Sequence, residues 1–144
     1  MERSEIVQKA TTWQKRDPDP QTRAEISDLL AKEAYDELEK RFSGRLQFGT
    51  AGIRGIYGAG PMRMNRLVVR ETTAGLAQYL LSEVDNVKQR GVVIGYDGRH
   101  GSREFARDSA AILAASGIKV WTFDDVQPTP LTAYAVLHQK AAAG

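Results

Sequence analysis

Val92-Val93-Ile94-Gly95-Tyr96-Asp97-Gly98-Arg99-His100-Gly101-Ser102 begins as an unbroken apolar run and ends in a polar, glycine-rich junction. Val92 to Tyr96 has the composition of a strand buried on both faces. Ser102 stands where an N-cap is wanted for a helix running through Ser116, with Phe105, Ser109, Ile112 and Leu113 on one stripe and Gly117 to stop it. Lys119 to Phe123 is then the next strand. Strand, helix, strand in that order is a βαβ unit, whose two strands lie parallel with a right-handed crossover. The fold class that follows is α/β, a mixed, partly parallel sheet flanked by helices. Such a sheet presents its chemistry at the carboxyl ends of its strands, where Asp97, Gly98, Arg99 and Asp124 fall.

Working outward from this unit, Pro128-Thr129-Pro130 opens a last helix with Leu131, Tyr134, Ala135 and His138 expected on its inward face. Upstream, Asn65 is a good N-cap for a helix to about Glu83, with Val68, Val69, Thr72, Leu76, Tyr79 and Leu80 inward. Leu46 to Phe48 reads as a short strand, and Ile56-Tyr57-Gly58 as a returning one before Gly60-Pro61 breaks the run. Residues 1–45 form a polar, helix-prone extension, preceding a body over 46–144. Arg16-Asp17-Pro18-Asp19-Pro20 interrupts the extension, because its prolines remove backbone donors and force extended or turn geometry. Two or three short helices result, with Thr22 and Glu25 spaced as a capping box and Ile26, Leu29, Leu30, Tyr35 and Leu38 as packing stripes. The extension reads as packaging, not chemistry.

Between the two short strands lies Phe48-Gly49-Thr50-Ala51-Gly52-Ile53-Arg54-Gly55. Glycines at a spacing of three let the backbone take positive φ and bring N–H groups close to an anion. Arg54 adds a permanent charge and a planar fork that grips phosphate oxygens through two bonds, and Thr50 adds a hydroxyl. A charge-assisted contact of this kind contributes roughly 1.5–3 kcal/mol, about one to two decades in affinity. The turn matches neither the P-loop nor the Gly-x-Gly-x-x-Gly of dinucleotide folds. A tight turn with an idle surface arginine is the alternative, against which stands the concentration of Thr50, Gly52 and Arg54 in so few residues.

At the strand-to-helix junction, Asp97 and Arg99 are expected to pair or to tie the loop to its own backbone before they touch any substrate. Neither His100 nor His138 stands in a serine-hydrolase context with Ser102, and neither belongs to a metal set; His138 suits a helix end. Asp124-Asp125 is too small a carboxylate group to bind a cation by itself.

The chain has 144 residues, 42% of them apolar, which suffices for a buried core. A formal charge of +2 is too small for a nucleic-acid surface, and the group Arg54, Arg63, Arg66 and Arg70 reads as a solvated helix face. Cysteine is absent, so there is no disulfide framework. The charged start Met1-Glu2-Arg3-Ser4-Glu5 lacks a signal core, and no stretch reaches the roughly 20 apolar residues of a membrane span. A cytoplasmic location, without membrane or nucleic-acid partners, is expected.

Taken in order, Phe48 to Gly55, Met64-Asn65 before a long helix, Val93 to Arg99 leading to Ser102, and Pro128-Thr129-Pro130 resemble the first domain of the α-D-phosphohexomutases. This is the phosphoglucomutase and phosphomannomutase superfamily, and the glycine turn and helical extension most resemble its phosphopentomutase-type phosphoglucomutases. The resemblance implies an isomerase of carbohydrate metabolism in which a phosphoserine exchanges its phosphoryl group with a sugar phosphate, through a sugar bisphosphate and with Mg2+. It implies that Arg54 binds phosphate near the phosphoserine, with Thr50 and Gly52 shaping the pocket. The family's Thr-Ala-Ser-His-Asn-Pro serine loop and Asp-x-Asp-x-Asp metal loop do not occur in the sequence. No catalytic nucleophile and no metal ligand are therefore assigned here. The chain is expected to be an N-terminal fragment, inactive alone and completed by the remaining mutase domains. Two other readings stay open: a dinucleotide-binding βαβ module, and a noncatalytic module whose helical extension binds a partner protein.

Overall fold

The computed structural model describes residues 1–50 and 52–144; Ala51, within the glycine turn, lies outside the described residues. The elements are α1 (Arg3–Arg16), α2 (Pro20–Ala31), α3 (Tyr35–Phe42), β1 (Phe48–Gly49), β2 (Gly52–Ile53), α4 (Arg66–Glu83), α5 (Val87–Arg90), β3 (Val92–Ile94), α6 (Ser102–Ala115), β4 (Val120–Thr122) and α7 (Thr129–His138). They form two compact units, Met1–Val68 and Val69–Gly144.

In the first unit, Ile6, Ala10 and Trp13 recur at helical spacing on α1 and are buried against Ile26 of α2 and Leu38 and Phe42 of α3. Trp13 meets Phe42 edge to face, ring centroids 6.1 Å apart. Ala59 and Leu67 complete this core, so the helical extension shares its apolar centre with residues beyond the glycine turn. The helix count agrees with the sequence, but the capping box does not form. Pro20 takes the first position of α2, where its missing N–H costs nothing, and Asp19 caps the helix by accepting from Gln21 N. Thr22 is buried within α2, its hydroxyl donating to Asp17 Oδ2 at 2.5 Å. Glu25 is thereby released for a different use.

The returning strand is also not where the sequence places it. β1 and β2 make a tight antiparallel hairpin within the glycine turn itself, pairing Phe48 with Ile53 and Gly49 with Gly52. Gly52 sits at φ +87°, which glycine alone adopts without strain. Tyr57 makes an isolated bridge to Met64. Asn65 performs as expected and does more. Its Oδ1 accepts from Val68 N at 2.9 Å, capping α4, while Nδ2 donates to the carbonyls of Gly58, Gly60 and Arg63 at 2.8–3.1 Å.

In the second unit, β3 and β4 pair in parallel, Val92 with Val120 through Ile94 with Thr122, as the βαβ pattern requires. Val92 and Val93 are buried. Gly117 ends α6 at φ +77°, with Gly117 N donating to Ala114 O and Ile118 N to Leu113 O, the paired bonds of a Schellman stop. After α7 the chain returns beside β3: Val93 N donates to Ala143 O at 3.0 Å and Ala142 N to Gly91 O at 2.8 Å. Val92 and Ala143 form a parallel bridge. β3 therefore has a parallel neighbour on each side.

Two helix phases differ from expectation. On α4 the expected Val68 and Leu80 are buried, together with Leu67, Thr73 and Ala77, whereas Leu76 and Tyr79 are exposed. On α7 none of the residues is buried, and Leu131 and Tyr134 face solvent. Short, nearly all-apolar helices such as α7 lack the polar stripe that would set their phase, so packing sets it. The basic group is not an open face either. Arg63 pairs with Glu37 at 3.4 Å, and Arg70 with the buried Asp108 at 2.7 Å.

Candidate functional site

In the first unit the hairpin carries the expected phosphate-contacting residues: Thr50 follows β1, Gly52 opens β2, and Arg54 comes immediately after β2. Thr50, Gly52 and Arg54 are all exposed. The hairpin rises from a fixed base. Leu46 N donates to Pro61 O, Met64 N to Ile56 O and Gly58 N to Met64 O, all within 3.1 Å. Gly52 at positive φ opens the strand next to the exposed Thr50, and Arg54 supplies charge beside them.

In the second unit, the carboxyl end of β3 opens into a cleft of about 670 Å³ whose lining includes Gly95, Tyr96, Asp97, Thr129, Thr132 and Gly144. The carboxyl ends of parallel strands flanked by helices are a common place for ligands. A Cβ on Gly95 would collide with Thr132 Oγ1, so the missing side chain is what lets α7 lie over the strand end.

Asp97 organises the rim of that cleft. It accepts from Arg99 N at 3.1 Å, from Ser102 Oγ at 2.9 Å and from Arg99 Nε at 2.7 Å. Those bonds, the Arg99 backbone N–H foremost and the Ser102 hydroxyl next, hold the carboxyl below its ordinary pKa. Asp97 and Arg99 thus pair as the sequence suggests. Ser102 is corrected from N-cap to first helical residue, because Gly101, at φ +79°, takes the cap position and frees the hydroxyl for Asp97. A carboxylate in this place opposes a dinucleotide pyrophosphate, which needs neutral backbone there.

His138 stacks on Tyr134, ring centroids 5.7 Å apart, in the last turn of α7. Asp125 accepts from Val126 N. Among the described residues no group of three or more His, Cys, Asp or Glu could hold a metal ion. Among those residues, too, no helix is long and apolar enough to cross a membrane.

Residues 45–144 match the family model described as "Phosphoglucomutase/phosphomannomutase, alpha/beta/alpha domain I".

The chain belongs to the phosphoglucomutase/phosphomannomutase family.

A phosphopentomutase of Mus musculus is 41% identical over 145 residues, covering 96% of this chain and 23% of its own length. A probable phosphoribomutase of Schizosaccharomyces pombe is 44% identical over 132 residues, covering 92% of this chain and 22% of its own. A glucose 1,6-bisphosphate synthase of Mus musculus is 40% identical over 138 residues, with shares of 92% and 22%. The chain thus spans less than a quarter of the length of these relatives. No solved structure matches significantly. With 96% of the chain covered in the mouse phosphopentomutase match, the likeness takes in most of α1 to α3, which the domain I model leaves out.

Sequence reasoning missed Thr132 and Gly144 in the domain I cleft, and Glu25 and Arg41 beneath the hairpin. Gly95 beside an apolar run was the one local signal for the first pair, since an isolated strand glycine marks close approach. The second pair left none: a capping-box spacing and a helix-face arginine look alike whatever lies across from them.

Proposed function

We propose that this domain I serves a phosphosugar mutase of the phosphopentomutase or phosphoglucomutase type and that its hairpin contacts the phosphate, with Arg54 as ligand and Thr50 and Gly52 shaping the pocket. The observation that carries the reading is the hairpin itself: an exposed arginine directly after a glycine-opened strand, on a base held by backbone hydrogen bonds. Family membership and the mutase names of the relatives support it. Phosphoryl transfer spreads charge over peripheral oxygens, and a preorganised guanidinium stabilises that charge without reorganising.

On this reading residues 1–45 are a helical extension and 46–144 the domain I body. The phosphoserine, Mg2+ and its ligands, and the sugar-bisphosphate intermediate belong to other parts of a longer mutase whose remaining domains are partners of this one. A cytoplasmic setting is part of the same proposal.

Calorimetric titration of the chain with glucose 1-phosphate, beside a nicotinamide dinucleotide, tests the reading. Sugar phosphate binds and the dinucleotide does not; Arg54→Ala weakens binding by about one to two decades, and Arg54→Lys restores only part, because the fork is gone. Equal affinity in Arg54→Ala and the parent chain would refute the assignment.

A further inference from the structure

We infer that Glu25 is a positioning residue for the hairpin: with Arg41 it clamps the backbone of Ala59 and so fixes where Arg54 points. The inference rests on the reading of Arg54 as the phosphate ligand.

Ala59 is fully buried and lies outside any helix or strand, so its backbone groups need partners from elsewhere. Its N–H donates to Glu25 Oε2 at 2.8 Å, and its carbonyl accepts from Arg41 Nη1 at 3.1 Å. The same Nη1 donates to Glu25 Oε1 at 2.6 Å, closing a ring of three bonds between α2, α3 and the loop. Arg41 Nε donates to Glu37 Oε1 at 2.9 Å, which holds the guanidinium in plane. An exposed ion pair is worth little, but the Arg41 side chain is only 12% exposed, and each oxygen of the Glu25 carboxylate has a separate donor.

The clamp transmits to the hairpin through short links. Met62 N donates to Arg41 O at 3.1 Å. A Cβ on Gly60 would stand 2.9 Å from Arg41 Cβ, so the loop is seated hard on α3. Pro61 O then receives Leu46 N, just ahead of β1, and Met64 N reaches Ile56 O, two residues past Arg54. Both stems of the hairpin are thereby tied to a loop that Glu25 and Arg41 hold down. Glu25 acts on the hairpin through this loop, by its bonds to Ala59 N and Arg41 Nη1.

The test uses the whole chain with Glu25→Ala, Glu25→Gln, Arg54→Ala and the double variant Glu25→Ala/Arg54→Ala. Backbone order parameters over residues 46–64 and glucose 1-phosphate affinity are measured well below each melting temperature. Glu25→Ala should lower the order parameters over 46–64 from about 0.85 toward 0.6 while α1 to α3 stay rigid. It should weaken binding about tenfold, with Glu25→Gln intermediate because an oxygen remains for the Ala59 N–H. The double variant should bind no more weakly than Arg54→Ala. A lowered melting temperature with unchanged order over 46–64, additive losses in the double variant, or loosening spread evenly over Met1–Val68 in both Glu25 variants would overturn the inference. If the parent chain binds no sugar phosphate yet 46–64 loosens selectively, the clamp stands and the reading of Arg54 falls. If Arg54→Ala alone weakens binding, the clamp falls and that reading stands.

Discussion

The Ser102 hydroxyl donates to Asp97 Oδ1 at 2.9 Å, joining the first residue of α6 to the segment that leaves β3. The Arg99 N–H reaches the same oxygen at 3.1 Å, so one carboxylate shapes the whole strand-to-helix junction.

Because these donors depress the Asp97 pKa in the folded chain, its stabilisation is present above the ordinary carboxylate value of 3.8. It is lost as pH falls through the lower, folded value. An NMR titration of the Arg99 and Ser102 amides should place the Asp97 midpoint below 3.8. Ser102→Ala should move it upward. A midpoint at or above the ordinary value in the parent chain would contradict the assignment of these bonds.

Asp17 carries the opposite sign. Burial raises its pKa, opposed by the Thr22 hydroxyl and the Asp19 N–H. A raised folded value means that the protonated carboxyl favours folding, a contribution present below the ordinary range and lost as pH rises through the folded pKa. Thr22→Val removes a donor to the ionised form. It should destabilise the chain by about 1–2 kcal/mol at pH 7, and by less near pH 3, in urea melts at the two pH values. A loss that is the same at both would show that Thr22 acts by shape alone.

Asn65→Ala should cost about 2–4 kcal/mol, since it removes the cap of α4 and leaves buried carbonyls of Gly58 and Gly60 without their donor. Asn65→Asp keeps an acceptor for Val68 N but sets a carboxylate against those carbonyls, so it should rescue little. Chemical denaturation reads both, and an Asp variant as stable as the parent chain would reduce Asn65 to an ordinary cap.

Gly52 and Gly60 both have positive φ but should respond differently to alanine. A Cβ on Gly52 meets nothing within 4 Å, so Gly52→Ala carries backbone strain only, about 1 kcal/mol. At Gly60 the new methyl would also meet Arg41 Cβ at 2.9 Å and Arg41 O at 3.1 Å, adding overpacking of about 1–3 kcal/mol. Thermal melts of the two variants should rank them in that order. Equal losses would mean that the loop yields where it meets α3.

The sequence by itself determined the α/β class, the parallel pairing of Val92–Ile94 with Val120–Thr122, the cap at Asn65 and the stop at Gly117. Each is a local matter: an apolar run between glycines, the fixed hand of a crossover, a side chain bonding three residues ahead. The ordered motifs were enough to point to the family. Tertiary structure decided the rest. It moved the hairpin into the glycine turn, turned α7 so that Leu131 and Tyr134 face outward, and gave the cap of α2 to Asp19. It also sent Glu25 across 16 residues to Arg41 and 34 to Ala59. A carboxylate in a helix has several partners within reach of its spacing, and the choice among them depends on which buried backbone groups the folded chain brings opposite it. That information lies in the packing of α2, α3 and the loop together, not in any stretch of sequence read alone.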